Sequence, residues 1–186
     1  MGQYDDKIEK ALQYLKNPSR ITPTGYSPIV YVVYQPEDML MVRNIVDTFL
    51  SAKADYYGFK AHFVSMEELL DKYINNHDYR EIWTDSSVNE EEMYNSIKQE
   101  IVSDEFLEKS ILKIQEELSV EKGNALIVIK DVEMLHPFYM MGVIENKIYN
   151  KITVPMLVFY PGETQGTARS FLGLYNQDGN YRSINF

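Results

Sequence analysis

The hydrophobic residues of this chain form short uninterrupted runs, separated by longer stretches in which they recur with helical spacing. The runs are rich in β-branched and aromatic side chains and show no polar alternation, which is typical of strands covered on both faces. Such strands need helices or loops on either side of them. The predicted strands are residues 29–34, 59–63, 125–129 and 154–160.

Between these runs the apolar residues recur every three or four positions, which is the period of a helix with one buried face. Two of the predicted helices also begin with a recognisable cap. Asp38 could accept the free amides of one first turn, and Ser65 followed by Glu68 has the spacing of a capping box. The helical patterns cover residues 4–15, 42–49, 69–74, 93–101, 107–118 and 141–148.

Buried strands that alternate with helices predict an α/β fold with a mainly parallel sheet and helices on both faces. No repeat, low-complexity tract or linker divides the chain, so residues 1–186 are predicted to form a single α/β domain. Residues 1–28 would be an N-terminal helix and loop. Residues 75–88 are polar and aromatic without a clear period and are interpreted as an insertion or a long loop.

The end of the chain contains two shorter strand candidates, residues 170–174 and 181–186. Residues 176–180 between them read Asn-Gln-Asp-Gly-Asn, a composition that favours a tight turn. The sequence therefore predicts an antiparallel hairpin at the C-terminal edge of the sheet.

Composition narrows the classes of function. The chain has a net charge of −10 and no basic run that alternates with aromatic residues, so direct nucleic-acid binding by this chain alone is not expected. Cysteine is absent, which removes disulfides, thiolate metal sites and thiol nucleophiles. The first residues are acidic, and the apolar runs are strand-sized. We therefore expect a cytoplasmic protein without a signal peptide or a membrane span.

Ligands of open α/β sheets bind beyond the carboxyl ends of the strands, where residues 35–38 follow the first predicted strand. This segment contains no glycine, lysine or threonine. Pro36 lacks an amide donor, and Glu37 and Asp38 would repel phosphate. The element order is reminiscent of a P-loop ATPase, but of a degenerate one that has no phosphate loop.

Residues 130–138 follow the third predicted strand. Asp131 and Glu133 resemble the acids that hold magnesium in ATPases, and with His136 and Glu163 they could form a metal site for a nuclease or phosphoesterase. An alternative is that Asp131 and Glu133 are simply the charged residues at which the chain leaves the core after a strand. His136 would then be a histidine at a helix entrance that is hydrogen-bonded to the backbone. No helix carries paired metal ligands, and no cofactor is expected.

Residues 160–166 contain two glycines and a proline after a buried strand. We interpret them as a shaped recognition loop, although a tight turn would have the same composition. A second candidate surface comprises the aromatic residues Tyr56, Tyr57, Tyr79 and Trp83, unless they are partly buried. The loop candidates are Tyr160, Pro161, Gly162, Glu163 and Gly166.

Three segments of the chain, residues 124–138, 154–163 and 181–186, resemble the BrxB family, the small B component of bacteriophage-exclusion (BREX) systems. The specific motifs are Leu135-His136-Pro137-Phe138 and Phe159-Tyr160-Pro161-Gly162-Glu163. The likeness spans nearly the whole chain in length and element order. The sequence departs from the family pattern after Phe138, where a basic or small polar residue is common and this chain has Tyr139-Met140-Met141.

The resemblance implies a non-enzymatic scaffold or adaptor in a phage-restriction complex. Its implied partners are the alkaline-phosphatase-like PglZ protein, the DNA methyltransferase and the large ATPase of the system. Asp131, His136, Pro137 and Phe138 would then belong to a contact surface together with the 160–166 segment. Two alternatives remain open: a nucleotide-binding switch, and a metal-dependent nuclease or phosphoesterase that uses Asp131, Glu133, His136 and Glu163.

Overall fold

The computed structural model describes residues 2–16, 27–120, 124–166, 168–173 and 183–186. Its helices are α1 (Gln3–Lys16), α2 (Met39–Thr48), α3 (Leu50–Tyr56), α4 (Met66–Asn76), α5 (Arg80–Trp83), α6 (Glu90–Asp104), α7 (Phe106–Val120) and α8 (Met141–Ile148). Its strands are β1 (Ile29–Tyr34), β2 (Lys60–Ser65), β3 (Ala125–Lys130), β4 (Met156–Gln165), β5 (Ala168–Phe171) and β6 (Ile184–Asn185). Short 3-10 turns cover Pro36–Asp38, Val132–Leu135 and Tyr149–Lys151.

Five strands form a parallel sheet in the order β2-β3-β4-β1-β6, and β5 pairs antiparallel with the end of β4. This confirms the predicted α/β fold with a mainly parallel sheet. All six residues of β1 are buried, as the unbroken apolar run predicted. Full burial of a valine or isoleucine stabilises the folded state by roughly 1.5–3 kcal/mol relative to exposure.

Successive residues of each strand point to opposite faces of the sheet. Because the buried strands carry apolar side chains on both faces, helices cover both of them. Helices α1, α2 and α3 pack on one face, against Val30, Val32 and Phe159 among others. The remaining helices supply the core on the other face, where Tyr31, Ile127 and Val158 lie. Helix-bearing layers on both sides of the sheet were the second part of the fold prediction, and they are confirmed.

One predicted helix cap is confirmed and the other is wrong. The Glu68 amide donates to Ser65 Oγ at 3.2 Å, which is the first bond of the capping box at α4. Asp38 does not cap α2. Its carboxylate accepts a 2.5 Å hydrogen bond from the Tyr4 hydroxyl, so it joins α1 to the turn after β1.

The predicted C-terminal hairpin is wrong in its pairing. Strand β5 pairs with the outer part of β4, and β6 lies parallel to β1 at the edge of the sheet. The physical reason is that β1 has β4 on one side only, so its other edge needs hydrogen-bond partners. The chain end supplies them, since Val33 N donates to Phe186 O at 3.1 Å and Phe186 N donates to Tyr31 O at 2.9 Å. The turn-rich residues 176–180 lie outside the described residues.

Residues 75–88, interpreted as an insertion or a long loop, are not a loop throughout. Asn75 and Asn76 complete α4, and α5 follows. Trp83 of α5 is only 4% exposed, and its indole nitrogen donates to Ser96 Oγ at 2.9 Å. The segment is fixed to the core by this buried aromatic side chain, which a search for apolar periodicity does not detect.

Candidate functional site

A crevice lies at the carboxyl ends of β2 and β3, where α2 on one face of the sheet and α4 on the other diverge. Its volume is about 580 Å³. The open α/β architecture predicted a site in this region. The charged side chains that line it are five carboxylates and two cations: Asp47, Glu67, Glu68, Asp71 and Asp131, with Arg43 and Lys130.

Arg43 of α2 is the centre of the charge arrangement. One guanidinium nitrogen, Nη2, lies 2.9 Å from Asp131 Oδ1, 3.1 Å from Glu133 Oε1 and 3.6 Å from Glu67 Oε2. Burial lowers the pKa of Arg43, but the three carboxylates outweigh this effect and raise the pKa above its ordinary value. The guanidinium is therefore a permanent positive charge that is already paired.

Asp131 follows β3 in a left-handed backbone conformation, with φ of 58°. This conformation costs a non-glycine residue about 1–2 kcal/mol, and aspartate is one of the residues that adopt it. Its buried carboxylate also accepts a 2.6 Å hydrogen bond from Ser65 Oγ at the end of β2. The two contacts with Arg43 and Ser65 hold the side chain between three elements of the fold.

Glu133 lies in the 3-10 turn after β3, and its carboxylate is mostly buried. Its Oε2 atom accepts a long hydrogen bond of 3.5 Å from the Tyr34 hydroxyl at the end of β1. Burial raises the pKa of Glu133, and the charge of Asp131 adds to the effect, while the Glu133 backbone amide and Arg43 oppose it. Burial and the charge of Glu133 raise the pKa of the Tyr34 phenol as well.

Both cations of the crevice form ion pairs with carboxylates. Lys130 Nζ lies 2.6 Å from Asp47 Oδ1, and this hydrogen bond raises the pKa of Lys130. Arg43 is held by Asp131 and Glu133. A phosphate entering the crevice would have to displace one of these carboxylates and would meet the others.

The turn after β1 does not supply a phosphate cradle either. The Gln35 amide donates to the Tyr4 hydroxyl at 3.2 Å, and the Asp38 amide donates to Gln35 O at 2.9 Å. The Met39 amide donates to Pro36 O, and Pro36 has no amide hydrogen. Most donors that could curl around a phosphate are therefore used within the protein.

The four residues of the alternative metal site are not brought together as a ligand set. Asp131 and Glu133 both contact Arg43, whereas the His136 and Glu163 side chains are exposed. Within the ranges that the structure describes, no three His, Asp or Glu side chains are arranged to hold a metal ion. All four of these residues belong to those ranges.

Pro137 and Phe138 of the Leu135–Phe138 motif line an apolar groove of about 320 Å³ beside α8. Pro137 is exposed, and the half-buried Phe138 ring packs 5.7 Å from that of Tyr94. Lys98 and Lys147 line the same groove, and Lys147 pairs with Glu105 and Glu108 at 3.2 and 3.3 Å. The apolar lining residues are Val102, Pro137, Phe138, Tyr139, Met140 and Val143.

Residues 160–166, interpreted as a recognition loop, do not form a loop, because β4 continues to Gln165. Of these candidates, Tyr160, Pro161 and Gly162 are buried, whereas Glu163 and Gly166 are exposed. Gly162 allows this extension. A Cβ there would lie 1.9 Å from the Ser170 carbonyl oxygen of β5. The turn comes later, at Gly166, with φ of +64°.

The aromatic surface is reduced in the same way. Trp83 is buried and Tyr57 is half-buried, with its ring 5.3 Å from that of Tyr56. Tyr79 is partly exposed, and Tyr56 is 82% exposed. These side chains are therefore not one continuous exposed patch of four residues.

Sequence reasoning missed Arg43, Ser65 as a partner of Asp131, and Tyr34. Arg43 is a single cation on a helix whose other signals are apolar, and its partner Glu133 is 90 positions away. The order of the elements was the signal that could have indicated these residues, because parallel strands bring the residues after β1, β2 and β3 to the same edge of the sheet.

Comparison with known proteins identifies the family of the chain. The family model described as "BREX protein BrxB" matches residues 55–186. The chain belongs to the BrxB family. This BrxB protein is therefore a component of a BREX phage-defence system. The matched range contains β2 to β6, Asp131 and the Leu135–Phe138 motif, whereas α1, β1 and Arg43 precede it.

No curated protein and no solved structure gave a significant match to this BrxB chain. None of the helices in the described ranges is both long enough and apolar enough to cross a bilayer.

Proposed function

We propose that this BrxB protein is a non-catalytic adaptor of its BREX complex, acting in the cytoplasm by binding other defence proteins. The observation that carries the proposal is the pairing of both crevice cations, Arg43 and Lys130, with carboxylates of the same crevice. Binding a nucleotide phosphate would mean breaking one of these pairs and leaving a carboxylate without its cation, which is costly for the buried Asp131.

The two catalytic alternatives have less support. A nucleotide switch needs free amides and a free cation near the end of β1, where the Gln35 and Asp38 amides are already bonded. A metal-dependent nuclease or phosphoesterase needs its ligands to converge. Asp131, Glu133, His136 and Glu163 do not form such a set.

The apolar groove beside α8 is the proposed contact surface. Met140 and Val102 are exposed there although they are apolar, and Phe138 belongs to the Leu135–Phe138 motif. Exposed apolar side chains around a concave surface are favoured at protein interfaces. The proposed partners are the PglZ protein first, and then the methyltransferase and the large ATPase of the system.

Co-purification tests the proposal. The chain would be tagged in cells that carry the whole operon, and PglZ would be measured in the purified fraction. Wild type should retain PglZ, and Met140→Glu should lose most of it because a charge is placed in the groove. Leu40→Glu is the matched control, since Leu40 is 77% exposed on α2, away from the groove. No co-purification by the wild-type chain would contradict the proposal.

The non-catalytic part is tested on the isolated protein. ATP with magnesium should not shift its melting temperature, and plasmid DNA with manganese should stay intact. A shift that Asp131→Ala abolishes would favour the nucleotide switch. Cleavage that His136→Ala abolishes would favour the nuclease.

A further inference from the structure

Strand β2 is the terminal strand of the sheet on the side opposite β6. Its first four residues, Lys60 to Phe63, are exposed or half-buried, whereas Val64 and Ser65 are buried. β3 covers one edge of β2, and among the described residues no strand lies along the other edge. An uncovered edge strand is a template on which another strand can pair.

The direction of the β2 backbone groups follows from one hydrogen bond. Lys60 N donates to Asn124 O at 2.9 Å, so the backbone groups of Lys60 point toward β3. These groups alternate in direction along a strand, so those of Ala61 and Phe63 point away from the sheet. In the described part of the chain, neither Ala61 nor Phe63 makes a backbone hydrogen bond outside the sheet.

The side chains beside this edge form a hollow of about 330 Å³ that is lined by Asp47, Phe63, Ser65, Glu68 and Lys130. The Phe63 side chain is 41% exposed, which is unusual for a phenylalanine. All of these residues except Phe63 also line the acidic crevice, so the hollow opens directly into it.

The charge of this hollow is negative. Lys130 is paired with Asp47. Glu68 on α4 makes no ion pair with any described residue. Asp71, three positions further along the same helix, lines the adjoining crevice and accepts a hydrogen bond from the neutral Asn75 amide. A cation placed over the exposed Phe63 ring would be attracted both by the ring face and by the Glu68 carboxylate.

We propose that the β2 edge binds an extended basic segment of a partner protein. The segment adds to the sheet as a new strand, forms hydrogen bonds with the outward backbone groups of Ala61 and Phe63, and places lysine or arginine side chains beside Phe63 and Glu68. Main-chain pairing gives the affinity and the acidic hollow gives the preference for basic sequences. This inference rests on the proposed function and adds to it the chemical class and the conformation of the partner segment.

Peptide binding is the first test. The probe is a fluorescent eight-residue peptide of alternating lysine and valine, and the control peptide alternates glutamate and valine. The basic peptide should bind and the acidic one should not. In wild type, hydrogen exchange of the Ala61 and Phe63 amides should be fast and should slow when the basic peptide is added. Unchanged exchange at both amides would overturn the inference.

Three variants and one control separate the contributions of backbone and side chain. Phe63→Pro removes one outward N–H without removing a bond to β3, and proline is tolerated at such edge positions. It should weaken binding of the basic peptide by about five- to tenfold, which corresponds to one hydrogen bond. Phe63→Ala retains the N–H and should lose less. Glu68→Lys should reverse the peptide preference, whereas Glu81→Lys, at an exposed position of α5 outside the hollow, should not. If Phe63→Pro fails to fold, the hydrogen-exchange data and the Glu68→Lys variant still test the inference.

Failure of this inference can be distinguished from failure of the proposed function. If wild type and Glu68→Lys retain PglZ equally in the tagged purification and the peptides do not discriminate, the β2 proposal is wrong and the adaptor proposal stands. If wild type retains no PglZ, the adaptor proposal fails. Dimerisation through β2, seen as a wild-type dimer that Phe63→Pro converts to monomer, would also overturn the β2 proposal.

Discussion

The guanidinium carbon of Arg169 lies 3.6 Å from the centroid of the Tyr31 ring, and both side chains are buried in the sheet. Arg169 belongs to β5 and Tyr31 to β1. The same guanidinium donates to Glu145 Oε2 of α8 at 3.0 Å and to Ser183 and Asn185 near the chain end, each at 2.8 Å. One side chain thus joins four parts of the fold.

Arg169→Ala should lower the free energy of unfolding by about 3–5 kcal/mol, because it leaves the buried Glu145 carboxylate without its cation. Urea denaturation measures the loss. Arg169→Lys should not restore full stability, since an ammonium group cannot reproduce the planar fork that contacts Glu145, Ser183 and Asn185. Arg80→Ala, at an exposed arginine, is the control. A loss at Arg169 no larger than at Arg80 would show that the buried network contributes little.

Arg43→Ala should lower the free energy of unfolding by about 1–3 kcal/mol, because Asp131 and Glu133 would then repel each other without a cation between them. The double variant Arg43→Ala/Asp131→Asn should recover part of this loss. Thermal and urea denaturation of the three proteins measure it. Equal stability of wild type and Arg43→Ala would mean that solvent, rather than Arg43, balances these acids.

Glu133→Gln should become more stable relative to wild type as the pH rises. The folded pKa of Glu133 is raised above its ordinary value of 4.5, chiefly by burial, so the folded state holds this proton to higher pH than the unfolded state does. The contribution of Glu133 to stability is therefore lost as the pH rises from about 4.5 through the folded pKa. Glutamine does not titrate. Urea denaturation of both proteins at about pH 4 and about pH 7 measures the difference, and a pH-independent difference would contradict the account.

The arrangement of β4 and β5 depends on a single glycine. Gly162→Ala should destabilise the fold by about 1–3 kcal/mol or more, since the new Cβ would lie on the Ser170 carbonyl oxygen and no flexible side chain can move aside. Gly166→Ala is the matched control. It has a positive φ but open space around the Cβ position, so it should cost only about 1 kcal/mol. Similar losses in the two variants would show that backbone conformation alone sets the cost.

The strands and most helices were predictable because their signal is local. The apolar run of β1 and the capping box at Ser65 each need only a few consecutive residues to be recognised. The extension of β4 was not predictable in this way, because Pro161 and Gly162 have the composition of a turn. Only the close approach of β5 explains why glycine occurs inside a strand there.

The candidate site was predicted only in part for a related reason. Its place at the carboxyl ends of the strands and the presence of Asp131 and Glu133 followed from the order of elements. Their pairing with Arg43 did not, since it depends on how α2 lies against the turn after β3. Likewise, the last residues pair with β1 and do not form a hairpin. Their position is set by the edge of a strand more than 150 positions earlier in the chain.

The adaptor function is tested most directly by calorimetric titration of purified PglZ into the purified chain without nucleotide. Saturable binding that Met140→Glu weakens and Leu40→Glu leaves unchanged is the predicted result. The absence of binding to PglZ would contradict the account, and saturable binding of magnesium ATP to the same preparation would favour the nucleotide switch.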